Sequence, residues 1–303
     1  MISKKDRFLG AIYLGAIGDA KGSGYENLAM PDDNVYYPFG KPKKEEPKWI
    51  ITDDTQLTIA TCQAIYEDKD LNPNILTKYF VTLFSSGKIR GLGGSTLKAL
   101  QELQVGGHWS QVGRRGEYAA GNGAAMRVAP LAFFDHITRE RIEEICSITH
   151  KNIEAYVGAL SIIMAIKYII QGDWSVGISL MKLIIKDLPD SRVRDRIIEL
   201  NDLPDTITIS EVTSKYGNDG YVVNSVPLAI FAANKIKEKL INSIFDELLQ
   251  SGGDTDTNCS MTGHIVGSYI GIDNIPKNLL DQLRSLEEYP WIRTNVEKLG
   301  NKL

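Results

Sequence analysis

Apolar residues along this chain recur mostly at the three-and-four spacing of a helix rather than in strict alternation. Leu57, Ala60, Ala64 and Ile65 fall on one face, as do Met261, Ile265 and Tyr269. The pattern predicts helices over 4–17, 54–68, 73–86, 95–104, 123–134, 138–149, 152–171, 174–187, 190–200, 224–238, 240–250 and 256–270, and hence an all-α fold. The most apolar stretch, IEAYVGALSIIMAIKYII, carries Glu154 at one end and Lys167 toward the other, which leaves an uncharged run too short for a bilayer. It reads as a buried core helix. DLPDTITISEV has strand-like residues, but no second segment offers it a convincing partner.

Two predicted helices carry small residues at near-helical spacing: Ala11, Gly15 and Gly18 in the first, Gly263, Gly267 and Gly271 in the last. Glycine inside a helix costs up to about 1 kcal/mol relative to alanine, so three on one face point to close backbone approach. These two helices are expected to pack together. Residues 27–50, with four prolines and many charges, and the stretch GGHWSQVGRRGEYAAGNG read as long surface loops. Loops of that length in a compact domain tend to carry function. No fixed-period repeat, low-complexity tract or linker divides the chain, so a single domain over 1–303 is expected.

Composition narrows the function classes. Hydrophobic residues make up 43% and charged residues 24% of 303, ordinary for a globular protein. The net charge of -4, without a basic stripe interleaved with aromatics, disfavours nucleic-acid binding as the main role. Cys62, Cys146 and Cys259 lie far apart with no C-x-x-C spacing, which argues against a disulfide framework or a zinc site and fits a reduced cytoplasmic setting. Asp6, Arg7 and Asp19 interrupt what would have to be the apolar core of a signal peptide.

The chemistry concentrates in two acidic clusters that share a format. SGGDTDTNCSMTGHIVGSYIG places Asp254, Asp256 and Thr257 at a helix start, and WIITDDTQLTIATCQAI does the same with Thr52, Asp53 and Asp54. Either cluster alone could be helix capping, because Asp and Thr oxygens accept from the unpaired first-turn amides. Four converging carboxylates would repel one another unless a cation neutralised them, and oxygen-only donors favour Mg²⁺, Mn²⁺ or Ca²⁺. Capping and metal binding both remain open at this point. Rival motifs fail. Asp254 and Asp256 lack the glycine and distal glutamate of a calcium loop, and DDTQL lacks the third aspartate of an isoprenoid synthase. Ser95 to Lys98 match S-x-x-K without the companion S-D-N and K-T-G motifs.

Taken in order, GAIGDAKGSGYE, TDDTQLTIA, RGLGGS, GNGAAMRVAPLAFF, ITH and the SGGDTDT block resemble the ADP-ribosylglycohydrolase family, the ADP-ribosylhydrolases that include the dinitrogenase-reductase-activating glycohydrolase of nitrogen-fixing bacteria. The resemblance implies a compact orthogonal bundle of helices with a dinuclear metal cleft. Two Mg²⁺ or Mn²⁺ ions would be held there by Thr52, Asp53, Asp54, Asp254, Asp256 and Thr257. It implies release of ADP-ribose from a modified protein side chain or small conjugate, with Glu26 as the carboxyl assisting proton transfer and Asp54 as the alternative. Gly93, Gly94, Ser95, Gly121, Asn122, Gly123, His150, Ser251, Gly252 and Gly253 match positions along the ligand. No nucleic-acid or membrane partner is implied, and a monomer is expected. Lys21, Ala119 and Ala120 depart from the family pattern. A metal-dependent phosphohydrolase and a non-catalytic ADP-ribose-binding protein are the alternatives.

Overall fold

Local capping chemistry sets most of the helix boundaries in the computed structural model, which describes residues 2–26, 47–175 and 177–303. Ser3 accepts from the Asp6 amide to open α1 (Lys4–Gly22), and Thr52 caps α2 (Asp53–Glu67). Asn72 with Pro73 at the first helical position starts α3 (Pro73–Ser85), which α4 (Gly94–Gln104) follows. Thr138 caps α5 (Arg139–Ser147). Asn152 caps α6 (Ile153–Gln171), which Gly172 ends in the left-handed conformation at φ 83°. Then come α7 (Leu180–Ile185), α8 (Arg192–Asn201), α9 (Ile209–Tyr216), α10 (Val222–Asn234), α11 (Ile241–Gln250), α12 (Thr255–Ile270), α13 (Lys277–Arg284) and α14 (Tyr289–Gly300). Among the described residues the only sheet is a parallel two-residue pair, β1 (Arg114–Arg115) on β2 (His150–Lys151).

The all-α expectation holds, with local corrections. DLPDTITISEV is no strand: Thr208 and Glu211 form a reciprocal capping box and launch α9. The helix expected over 123–134 is instead two 3-10 turns, Asn122–Arg127 and Ala129–Phe133. Pro130 cannot donate to an α-helical ladder there, and the Asn122 amide is diverted to the Gly220 carbonyl. The helix expected over 174–187 shrinks to α7, because Gly177 at φ 80° and a Trp174 indole bond to the Ile178 carbonyl shape a turn before it. Only residues 47–50 of the loop expected over 27–50 fall within the described residues.

The buried apolar side chains form one continuous cluster, from Phe8 to Leu299. Helix α6 is long and apolar enough to cross a membrane, with mean hydropathy 1.7, but 72% of that window is buried inside the fold. The most extensive helix pair is α1 on α12. Its closeness explains the glycines: a Cβ on Gly267 would lie 2.1 Å from the Gly10 carbonyl oxygen, and one on Gly263 2.3 Å from that of Leu14. On the facing helix, a Cβ on Gly18 would meet the Cys259 carbonyl oxygen at 2.2 Å. Gly271, expected in this stripe, ends α12 at φ 72° instead.

Candidate active site

Helix α1 ends in the carboxylate that organises the first acidic cluster. Asp19, fully buried, accepts from the Thr52 amide at 3.1 and 3.0 Å, from the Thr52 hydroxyl at 2.7 Å and from the Thr55 amide at 3.0 Å. The first turn of α2 is therefore satisfied by Thr52 and Asp19, leaving the Asp53 and Asp54 carboxylates free for other work. Sequence reasoning missed Asp19. An aspartate among small residues inside GAIGDAKG was the signal available, since a buried charge needs dedicated partners.

The carboxylate that heads the second cluster does not cap its helix. Asp254 stands at the N-cap position of α12 but makes no side-chain cap bond. Its Oδ2 accepts from Asn122 Nδ2 at 2.7 Å, and Asp256 Oδ1 accepts from the Thr257 amide at 2.8 Å. The clusters meet where the Thr257 hydroxyl donates to Asp54 Oδ2 at 3.1 Å, across 203 positions of chain. Asp54 Oδ1 is buried with no hydrogen-bond partner among the described residues. An orphaned carboxylate oxygen is costly without a cation or a proton, so the residues present fit a bound metal ion.

These groups line a cleft of about 470 Å³. Glu26, Asp53, Asp54, Asp254, Asp256 and Thr257 face it, as do Gly93, Gly94, Ser95, Gly121, Asn122, Gly123, His150 and Gly253. Thr52, Ser251 and Gly252 do not line it. The Thr52 hydroxyl is committed to Asp19, and the Ser251 and Gly252 carbonyls are held from behind by Asn218 Nδ2 at 3.0 and 2.6 Å. Asp219 and Gly220, in an N-D-G turn that sequence reasoning passed over, also face the cleft. The Gly220 carbonyl holds the Asn122 amide in place. A groove of about 710 Å³ bordered by Tyr79, Arg90 and Trp291 is larger but gathers no comparable set of carboxylates, so chemistry rather than size selects the site.

Electrostatics sharpen that choice. Burial, followed by the charges of Asp256 and Asp19, pushes Asp53 and Asp54 well above the usual carboxylate range. Burial and then Asp256 raise Asp254 to about 7; burial and then Asp19 raise Asp256 to about 6. Asp19 rises to about 6 through burial, which its bonds to Thr55 and Thr52 only partly offset. Glu26 is raised by burial and then by Asp254. No Lys or Arg is among the described lining residues, so protons or a cation must offset the negative charge. One oxygen each from Glu26, Asp254 and Asp256 lie within 4.8 Å of one another, the one potential cation cluster found among the described residues.

The family model described as ADP-ribosylglycohydrolase matches residues 1–303. The chain belongs to the ADP-ribosylglycohydrolase family. It is 26% identical to ADP-ribosylhydrolase ARH3 of Homo sapiens over 98% of this chain and 94% of that protein. It is 25% identical to ADP-ribosylarginine hydrolase Tri1 of Serratia proteamaculans over 92% of this chain and 75% of that one. A solved ADP-ribosylglycohydrolase-related protein complex shares the fold, with a TM-score of 0.73 at 21% identity over 98% of each chain. Hydrolase activity of the ADP-ribosylhydrolase type on ADP-ribose conjugates is thereby supported at the level of the family. Two departures from the family pattern have a structural account. Lys21 pairs with Asp246 at 2.6 Å away from the cleft, and Ala119 and Ala120 are buried.

Proposed function

We propose that this protein is a metal-dependent ADP-ribosylhydrolase, acting as a single domain over 1–303, that cleaves the glycosidic bond between ADP-ribose and a modified protein side chain or small conjugate. The carrying observation is that two acidic clusters remote in sequence, whose Asp54 and Asp254 carboxylates do not cap their own helices, converge with Glu26 on one cleft. Thr52, Asp53, Asp54, Asp254, Asp256 and Thr257 would hold two Mg²⁺ or Mn²⁺ ions, the Thr52 oxygen keeping a lone pair free while its proton goes to Asp19. Bound there, the cations offset the carboxylate charge and supply Lewis acidity toward the ribose being cleaved.

The chain's own groups do the rest. Gly93 and Gly94 leave room along the ligand, with no neighbour inside 4.0 Å of an added Cβ at either. Gly121 and Gly123 bring backbone close to the diphosphate, while Asn122 holds Asp254 through its amide. Glu26, raised above its ordinary range, moves a proton between the attacking water and the leaving group as the anomeric bond breaks. Asp54 is the alternative for that role. The three cysteines are free and buried, which suits a reducing, cytoplasmic setting.

Purified protein incubated with arginine-linked, serine-linked and O-acetyl ADP-ribose, in Mg²⁺ and in chelator, tests the reading. Release of free ADP-ribose only with Mg²⁺ is expected from at least one of them. AMP or phosphate as product would identify a phosphohydrolase instead, and tight ADP-ribose binding without turnover on any linkage would identify a binding protein.

A further inference from the structure

His150 is almost completely buried yet lines the cleft, and its bonding partners dictate where its proton sits. Behind it lies Arg127, fully buried against the Phe80 ring at 5.2 Å. The Arg127 guanidinium donates to the Gly123 and Ile145 carbonyls and, at 2.9 Å, to the Thr149 hydroxyl oxygen. A guanidinium can only donate, so Thr149 accepts there. The hydroxyl proton of Thr149 then has one acceptor among the described residues, His150 Nδ1 at 2.7 Å. Nδ1 must offer its lone pair, which puts the ring proton on Nε2. Burial, followed by the charges of Arg127 and Arg114, pushes the imidazole down to about 3, so the ring is neutral and its tautomer matters at physiological pH.

The Nε2 edge faces the glycine loop. A Cβ on Gly121 would lie 3.1 Å from Nε2, and one on Gly123 2.9 Å from Cε1. No described protein group accepts from Nε2. We propose that Arg127 and Thr149 are positioning residues that lock His150 in its Nε2–H form, so that it donates to an oxygen of the ligand that offers only lone pairs beside Gly121 and Gly123. Resting on the ADP-ribosylhydrolase reading, that oxygen is a phosphoryl oxygen of the diphosphate. A ribose hydroxyl could satisfy either tautomer, whereas a phosphoryl oxygen would be repelled by a bare Nε2 lone pair. The same guanidinium grips the loop through Gly123, so ring and loop are set together.

Long-range proton–nitrogen NMR of histidine-labelled protein reads the tautomer directly, with His150→Gln assigning the signal. The wild type should show Nε2–H. Thr149→Val should lose that preference and weaken ADP-ribose binding about tenfold, as removal of one hydrogen bond to a charged group does. The kinetic effect should fall on KM more than on kcat. Thr149→Ser, which keeps the hydroxyl, should restore both. An Nδ1–H wild type, or a Thr149→Val protein that stays Nε2–H, overturns the lock. A changed tautomer with unchanged ADP-ribose affinity overturns the assignment of the ligand oxygen. If wild-type protein ignores ADP-ribose altogether, the functional reading fails, and the tautomer spectra still decide the lock.

Discussion

Replacing Asp256 by asparagine separates a metal ligand from a helix-capping residue. Asp256 is buried, and burial together with the charge of Asp19 moves its carboxyl from an ordinary 3.8 to about 6. The folded chain thus holds this proton more tightly than the unfolded chain does. Without metal, stability present below 3.8 is lost as pH rises toward 6, and the whole penalty stands above that. Two pH units at about 1.4 kcal/mol each amount to roughly 3 kcal/mol. Asparagine keeps an oxygen for the Thr257 amide but cannot ionise. In chelator at pH 8, Asp256→Asn should therefore melt higher than the wild type, by about 5 °C for a chain of this size. At pH 4 the two curves should nearly coincide. Mg²⁺ at a thousand times its Kd reverses the order, because an ion binding only the folded wild type then adds about 4.1 kcal/mol, more than that penalty. The variant lacks an anionic ligand and should gain far less, with hydrolysis nearly abolished. Scanning calorimetry at both pH values, with and without Mg²⁺, alongside a turnover assay, checks each step. If Asp256→Asn melts at or below wild type in chelator at pH 8 and keeps its Mg²⁺ response and activity, the electrostatic argument is wrong.

Glu26→Gln should lower kcat by about 10²- to 10⁴-fold while changing ADP-ribose affinity only a few-fold, since it removes a titratable oxygen; near-normal turnover would shift proton transfer to Asp54. Asp19→Ala strips the Thr52 and Thr55 amides of their acceptor and should cost at least about 1–3 kcal/mol in urea unfolding, with Mg²⁺ affinity falling too; a variant as stable as wild type would show that water replaces the carboxylate. In Gly22→Ala the new Cβ would sit 2.5 Å from Asp256 Cα, forcing α1 and α12 apart at the site. Calorimetric titration should then show weaker Mg²⁺ binding, and unchanged affinity would mean that the acidic clusters tolerate that separation.

The sequence carried the acidic format of the site openly, because two helix starts repeat one pattern of paired carboxylates with a threonine, more oxygens than capping requires. What it hid was the division of labour. The Thr52 hydroxyl also donates to Asp19, while Asp19 itself lay inside a run of small residues that reads as packing. Ser251 and Gly252 share a block with Gly253, but only Gly253 reaches the cleft, a matter of backbone direction through two left-handed glycines at φ 68° and 76°. The fold was legible where capping and periodicity agree, as at α3 and α6. It was missed at α13 and α14, where Leu279 and Leu283, then Ile292, Val296 and Leu299, do keep helical spacing but sit among many charges. The 3-10 turns at 122–133 follow from Pro130 and from a tertiary bond to Gly220, and a tertiary bond leaves no mark in a local pattern.

The last turns of α1 explain how two clusters so far apart in sequence come to share a cleft. Asp19 grips the start of α2 through the Thr52 and Thr55 amides. Three residues later the Gly22 carbonyl accepts from the Thr255 hydroxyl at 2.9 Å, fixing the start of α12, and Glu26 follows directly. One helix end thus sets the register of both clusters and of the carboxyl proposed to move the proton. The cost of bringing distant segments together grows only slowly with the length of chain between them, so the long separation is a small obstacle once that seam exists. What must be overcome instead is the repulsion among the gathered carboxylates. The glycine-to-backbone packing of α1 on α12 needs no metal and can hold them together before any cation arrives. A site assembled that way would take up a cation without having to order the loops first, and the reorganisation cost that would otherwise weaken binding is met during folding.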